Sequence, residues 1–273
     1  MVGKRRSGLA NDRRAYGCRR YCVQTPICPS ITLADIATFD GEEEEWILNN
    51  NTTILACQTL TIGLGIYLLI PDGLILTNNG TITNNGTITQ NTGATITNYS
   101  SSFVNNGRIY ILDNCQFINS WDGGENSGPI LTNNGEISIA LGGILANGRS
   151  TLNNYTGSNI YNRGTITNLE AVINNYTGGN ITNNDRGVIS NENATIINNI
   201  GGTITNNIGG TITNQSSSII YNNTGGTITQ NTGAIFTNNG IINNADGSST
   251  CGVGTINGTG TITNNGTIST NCP

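Results

Sequence analysis

The chain has 273 residues, and its composition excludes more than its length does. Charged residues make up 10%, against about 25% in an average soluble protein. There is no His, so neither a His-ligated zinc site nor a Ser-His-Asp or Cys-His catalytic unit can form. No apolar run reaches the ~18 residues of a membrane-spanning helix, and the 37 Gly lack the period of three of collagen.

Residues 1–45 read as a head or anchoring arm. Lys4, Arg5, Arg6, Arg13, Arg14, Arg19 and Arg20 face a single acid, Asp12, and are followed by the acidic stretch Glu42 to Glu45. A basic arm on a nearly neutral body docks on something acidic, or is a solvated leader. Arginine content alone does not make a nucleic-acid-binding domain, so nucleic acid is not an expected partner. Residues 1–17 carry no apolar core of a secretory signal, which points to a cytosolic start or another export route.

Cys18, Cys22 and Cys28 lie within eleven residues beside Pro26 and Pro29. A cysteine zinc site would need tight pairs on both sides, and only the first gap fits. Disulfides or free thiols are therefore expected, with Cys18, Cys22, Cys28, Cys57, Cys251 and Cys272 as candidates. The total of seven leaves one thiol free or paired between chains. Residues 31–40 have the spacing of a short helix with Thr32 as its N-cap, placed over the open end of the repeat region. Residues 46–73, with the apolar stretch Ile62 to Ile70, are expected to form an N-terminal cap.

Residues 74–273 are a repeat. Thr-Ile-Thr occurs eight times, mostly followed by Asn and a Gly one to three residues on. Polar–apolar–polar alternation in β-branched residues is a short strand with one side chain pointing inward. Asn and Gly supply the corner because both tolerate positive φ. The inward aliphatics recur every six to eight residues, as at Ile204, Ile212, Ile220 and Ile228, too far apart for a helix stripe. Three-residue strands bury too little alone, so the units must stack into a solenoid. Three strands per coil predict a single-stranded right-handed parallel β-helix of about nine coils, all-β, about 45 Å long. The 46 Asn, roughly one residue in six, are expected to ladder from coil to coil at the corners. Ser120–Pro129 reads as a loop carrying Trp121, Asp122 and Glu125.

The run Leu74-Ile-Leu-Thr-Asn-Asn-Gly-Thr-Ile-Thr-Asn-Asn-Gly-Thr-Ile-Thr89, led in by Ile70-Pro-Asp-Gly73, resembles the Asn/Thr/Gly-rich β-helix repeats of large DNA viruses, and similar repeats of bacterial adhesin-like proteins. The resemblance covers about residues 55–270. It implies a capsid, fibre or surface role, in a virion or, as the alternative, on a cell surface. The expected function is a structural, non-enzymatic rod without cofactor or metal. Its arm assembles it, by self-association as trimer or filament or with other capsid or surface proteins. The alternative is an ice- or glycan-binding solenoid. Stacked Thr-x-Thr rows would favour ice, and Tyr155, Tyr176 and Trp121 are the candidate ligand contacts. Tyr155 and Tyr176, 21 residues apart in matching contexts, are expected to stack on each other. A polysaccharide-active enzyme would need clustered acids, and only Asp113, Glu136 and the Asp122/Glu125 loop are candidates. Arg163 and Arg186 are also 23 apart, a spacing that could stack them on one face.

Overall fold

The computed structural model describes residues 29–99, 101–121, 128–252 and 255–269. The chain winds into a right-handed parallel β-solenoid of about ten turns with three strands per turn. Face 1 runs from Thr52–Ile54 to Thr255–Asn257, and face 2 from Thr59–Ile62 to Thr261–Asn264. Face 3 runs from Ala37–Asp40 to Thr267–Ser269. Successive rungs pair in parallel and in register. Thr87 sits beside Arg108 after 21 residues, and Thr203 beside Thr227 after 24. The extra residues are taken up at the corners, so the inward position is never lost.

The four-residue strand explains the register. Its second and fourth side chains point inward and its first and third outward, as the burial pattern of Thr211–Asn214 shows. The second position is aliphatic or aromatic, and these side chains stack into one continuous core. Phe103 and Phe117 are fully buried in it, packed edge to face at 5.1 Å.

The fourth position is Asn or Gln in most rungs, and it is also fully buried. On the corner after face 2, each Nδ2 donates to the Oδ1 one rung on: Asn84 to Asn105, Asn105 to Asn133, and so on to Asn264. A second ladder on the corner after face 1 runs from Asn78 to Asn238. The corner after face 3 is mixed. Ile111 and Ile139 hold the position in early turns, and an amide ladder joins Asn162, Asn183 and Asn206. Each Nδ2 also serves the turn. Asn175 donates to Asn198 Oδ1 at 2.9 Å, Gly179 O at 2.9 Å and Thr203 O at 3.0 Å. The amide thus satisfies corner carbonyls that water cannot reach. Corners close in two residues, as at Asn106-Gly107, or in four with Gly in the left-handed region, as at Gly209 (φ 76). At Gly107 an added Cβ would run into the Gly86 carbonyl, so close rung approach requires Gly there.

The N-terminal end differs from expectation in two respects. The helix is one turn, Leu33–Ile36, and Ala37–Asp40 is already a strand, antiparallel to Glu45–Leu48. The β-branched and aromatic residues Thr38 and Phe39 favour strand, and Phe39 packs against Trp46 at 5.5 Å. Residues 52–70 run in register with the next turn. They are a full coil, which accounts for about ten turns rather than nine. The covering role falls to Leu33 and Ile36, which are buried in the core. Asp35 accepts from the Thr32 amide and hydroxyl, both at 2.8 Å, and these bonds hold its carboxyl below the usual Asp range.

The ladder should be the costliest feature to break. Asn175→Ala orphans several buried groups at about 1–3 kcal/mol each, so its urea midpoint should fall sharply. Asn243→Ala, on the outward face, should stay within about 0.5 kcal/mol. The lowered Asp35 pKa makes its contribution present above the unfolded value, about 3.9, and lost as pH falls through the folded value. Helix-end protection in hydrogen exchange should weaken below about pH 4, and Asp35→Asn should show that loss already at neutral pH.

Candidate functional surfaces

The outward positions decide what the rod can present. Thr-Ile-Thr strands fall on all three faces: Thr81–Asn84 on face 2, Thr87–Gln90 on face 3, Thr95–Asn98 on face 1. Among the described strands no face stacks more than two Thr-x-Thr rungs in succession. Thr203–Asn206 beside Thr227–Gln230 is such a pair, and it is flanked by Asn180–Asn183 and Ser249–Gly252. A regular hydroxyl lattice along one face is not built.

Tyr155 and Tyr176 stack as expected, with ring centroids 4.6 Å apart and planes within 5°. They occupy the first residue of the corner after face 2, where the neighbouring rungs carry Asn. Asn106 donates to Asn85 and Asn134 to Asn106 below the pair, and Asn223 to Asn199 above it. The rings are thus an aromatic step in an outer polar ladder. Each covers one face of the other, and burial, with the Tyr155 hydroxyl nearby, pushes the Tyr176 phenol up. Trp121 stands apart, on the corner after face 1, half-buried with an unpartnered Nε1. The three aromatics do not form one platform.

Asp113 and Glu136, the described members of the candidate acid group, do not converge. Glu136 opens a strand on face 3 beside Arg108. Asp113 lies past the other end of that face, in the corner, where it shares a shallow groove with Ser138, Leu141 and Arg163. Asp122 and Glu125 lie outside the described residues. Arg163 and Arg186 do not stack either. Arg163 directly follows the ladder residue Asn162, whereas Arg186 sits two residues deeper in a longer corner, at φ 63, with its amide on Gly209 O. The coil there takes in residues that a fixed 23-residue step ignores. Arg149 and Glu170 form an exposed ion pair at 2.6 Å across neighbouring rungs, a pairing the sequence spacing did not single out. Among the described residues, no three His, Cys, Asp or Glu side chains are grouped so as to hold a metal ion, and no helix is long and apolar enough to cross a membrane.

Cys18, Cys22, Cys28 and Cys272, and the basic arm Lys4 to Arg20, lie outside the described residues. Cys57 and Cys251 are each disulfide-bonded, and Cys115 is a free, buried thiol. Cys115 donates to Asn91 O at 2.8 Å, and burial pushes its pKa up.

No protein-family model matches the chain, and no curated protein matches it. A solved structure, the crystal structure of a TibC-catalyzed hyper-glycosylated TibA fragment, is similar over 88% of this chain and 97% of that one. The identity is 13% and the TM-score 0.29, values that carry no functional inference.

The burial and raised pKa of Cys115 leave almost no thiolate at pH 8. In the folded chain it should resist iodoacetamide, by peptide mapping, and react at the rate of a free thiol once the chain is unfolded in guanidinium.

Proposed function

We propose that this chain is a structural, non-enzymatic rod of a surface assembly, a virion surface or fibre in the reading that the repeat resemblance favours, with its basic arm as the anchoring element. The observation that carries this is the sealed interior. Aliphatic stacks and amide ladders run through the described turns, and the enclosed cavity beside Ile166 and Ile196 measures about 20 Å³, room for about one water. A core that pairs every rung with the next resists bending, and about ten turns at ~4.8 Å make a rod about 48 Å long. The outward surface is Thr, Asn and Ser with few charges, which suits lateral packing between like copies.

The rival readings lose support from the same geometry. Ice recognition needs a continuous Thr lattice, and the rows break after two rungs. Sugar stacking on Tyr155 and Tyr176 would have only their outer ring faces, which adjoin the Asn134 and Asn199 rungs. A glycosidase needs two carboxylates within about 10 Å on one face, and Asp113 and Glu136 sit at opposite ends of face 3.

Negative-stain electron microscopy of the full chain, oxidised and reduced, tests the proposal. Side-by-side or filamentous assemblies of ~48 Å rods are expected. Replacing Lys4, Arg5, Arg6, Arg13, Arg14, Arg19 and Arg20 by Gln should leave rods unassembled through the arm. Single rods from both chains, or cleavage of a polysaccharide by the purified protein, would overturn it.

A further inference from the structure

Beyond residue 45 the chain carries four arginines, Arg108, Arg149, Arg163 and Arg186. Two of them stand beside an acid. Arg149 pairs with Glu170 at 2.6 Å, and Arg186 lies 3.9 Å from Asp185. The other two flank one and the same rung, Glu136 to Leu141. Arg108 is the register partner of Glu136 on the turn before. Arg163 is on the turn after, with its amide on Ile139 O at 2.8 Å, which sets it beside Ala140. None of Arg108, Asp113, Glu136 and Arg163 has a side-chain hydrogen bond or ion pair among the described residues.

The rung between them is low. Ser138, Ala140 and Leu141 line a groove of about 460 Å³ with Asp113 and Arg163. Asp113 comes from the turn before and Arg163 from the turn after, so opposite charges line the two banks, about 9.6 Å apart at two rung spacings. Gly142 has φ 83 and no Cβ, and Asp113 Oδ1 occupies the space that a Cβ there would need. The carboxylate therefore leans in over the floor of the groove. On face 3 the register partners of Ser138 are Tyr110 and Tyr161. All three are third-position, outward residues, and Tyr161 is 37% exposed. A small hydroxyl residue with a tyrosine one rung away on either side leaves a slot over Ser138.

We propose that this groove is a binding site for a neutral oligosaccharide. Two arginines and two acids sum to zero charge, so the groove does not select an ion. What it offers is unused planar groups of both kinds, carboxylates that accept and guanidiniums that donate, and a sugar hydroxyl does both. The tyrosines supply apolar bodies with polar tips, which suit the C–H face of a pyranose ring. A peptide fits less well. The backbone under the groove is paired to the turns on both sides, so it presents no open edge to which a strand could add. Glu136 and Asp113 sit at opposite ends of the rung, and the groove holds a sugar chain without the paired carboxylates that cleavage needs. The site is additional to the proposed rod and rests neither on the arm nor on assembly.

The full chain, displayed in many copies on fluorescent beads so that weak contacts add, tests this on an array of immobilised neutral and acidic oligosaccharides. Beads should be retained on neutral pyranose oligosaccharides, and retention should persist at about 0.5 M salt, where attraction between exposed charges is screened. Tyr161→Ala and Arg163→Ala should each lower retention about tenfold, and Tyr161→Phe, which keeps the ring, should retain most of it. Tyr221→Ala removes an outward tyrosine on face 2, between Ile197 and Asn243, and should bind like the parent. All four positions point outward, so the thermal midpoints should match the parent and separate lost binding from lost folding. Beads absent from every neutral oligosaccharide, retention confined to acidic glycans and lost in salt, or binding unchanged by Tyr161→Ala and Arg163→Ala would overturn the proposal.

Discussion

The structure depends on one interaction, the buried amide that is passed from rung to rung. A corner that turns in two residues leaves carbonyls and amides facing inward, where no water reaches them. An aliphatic there would orphan them, and a charge would be ruinous without a partner. Asn is short enough to sit under the corner and carries both a donor and an acceptor. It can therefore bond the corner of its own turn and the Asn of the next, as Asn175 does. Every copy then polarises its neighbours along the axis, and the ladder gains from its own length.

That constraint accounts for the composition. A fourth position that is mostly Asn and a second that is almost always aliphatic or aromatic leave the outward first and third positions free to vary, and there Thr is common but not regular. Variation is absorbed at corners of two or four residues, which lets register survive rungs of unequal length. The same design makes function hard to place inside the rod. Its interior is committed to holding itself together, so recognition falls to faces, corners and ends.

The ends carry the asymmetry. The helix Leu33–Ile36 and its hairpin spend residues on closing one end, where Glu45 feels both burial and its acidic neighbours and its carboxyl is pushed up. At the other end the inward Ile262 and Ile268 meet solvent.

The sequence by itself determined the solenoid, its three-strand turn and its Asn ladders. Thr-Ile-Thr-Asn states burial period, strand preference and corner chemistry within four residues. The stack of Tyr155 on Tyr176 was legible too, because matched contexts 21 residues apart imply matched rungs. Only the tertiary structure decided which distant residues meet. Corner length changes the step from rung to rung, so a fixed spacing misplaces Asp113 relative to Glu136 and Arg163 relative to Arg186. It also decided the fate of one octapeptide, Thr-Ile-Thr-Gln-Asn-Thr-Gly-Ala, which occurs as Thr87 to Ala94 and as Thr227 to Ala234. The amide nitrogen of Gln90 is partnered and that of Gln230 is not, although the residues around them in the chain are identical. The reason is that a β-solenoid side chain is satisfied by the turn above it, and what lies above is set by stacking rather than by neighbours in sequence.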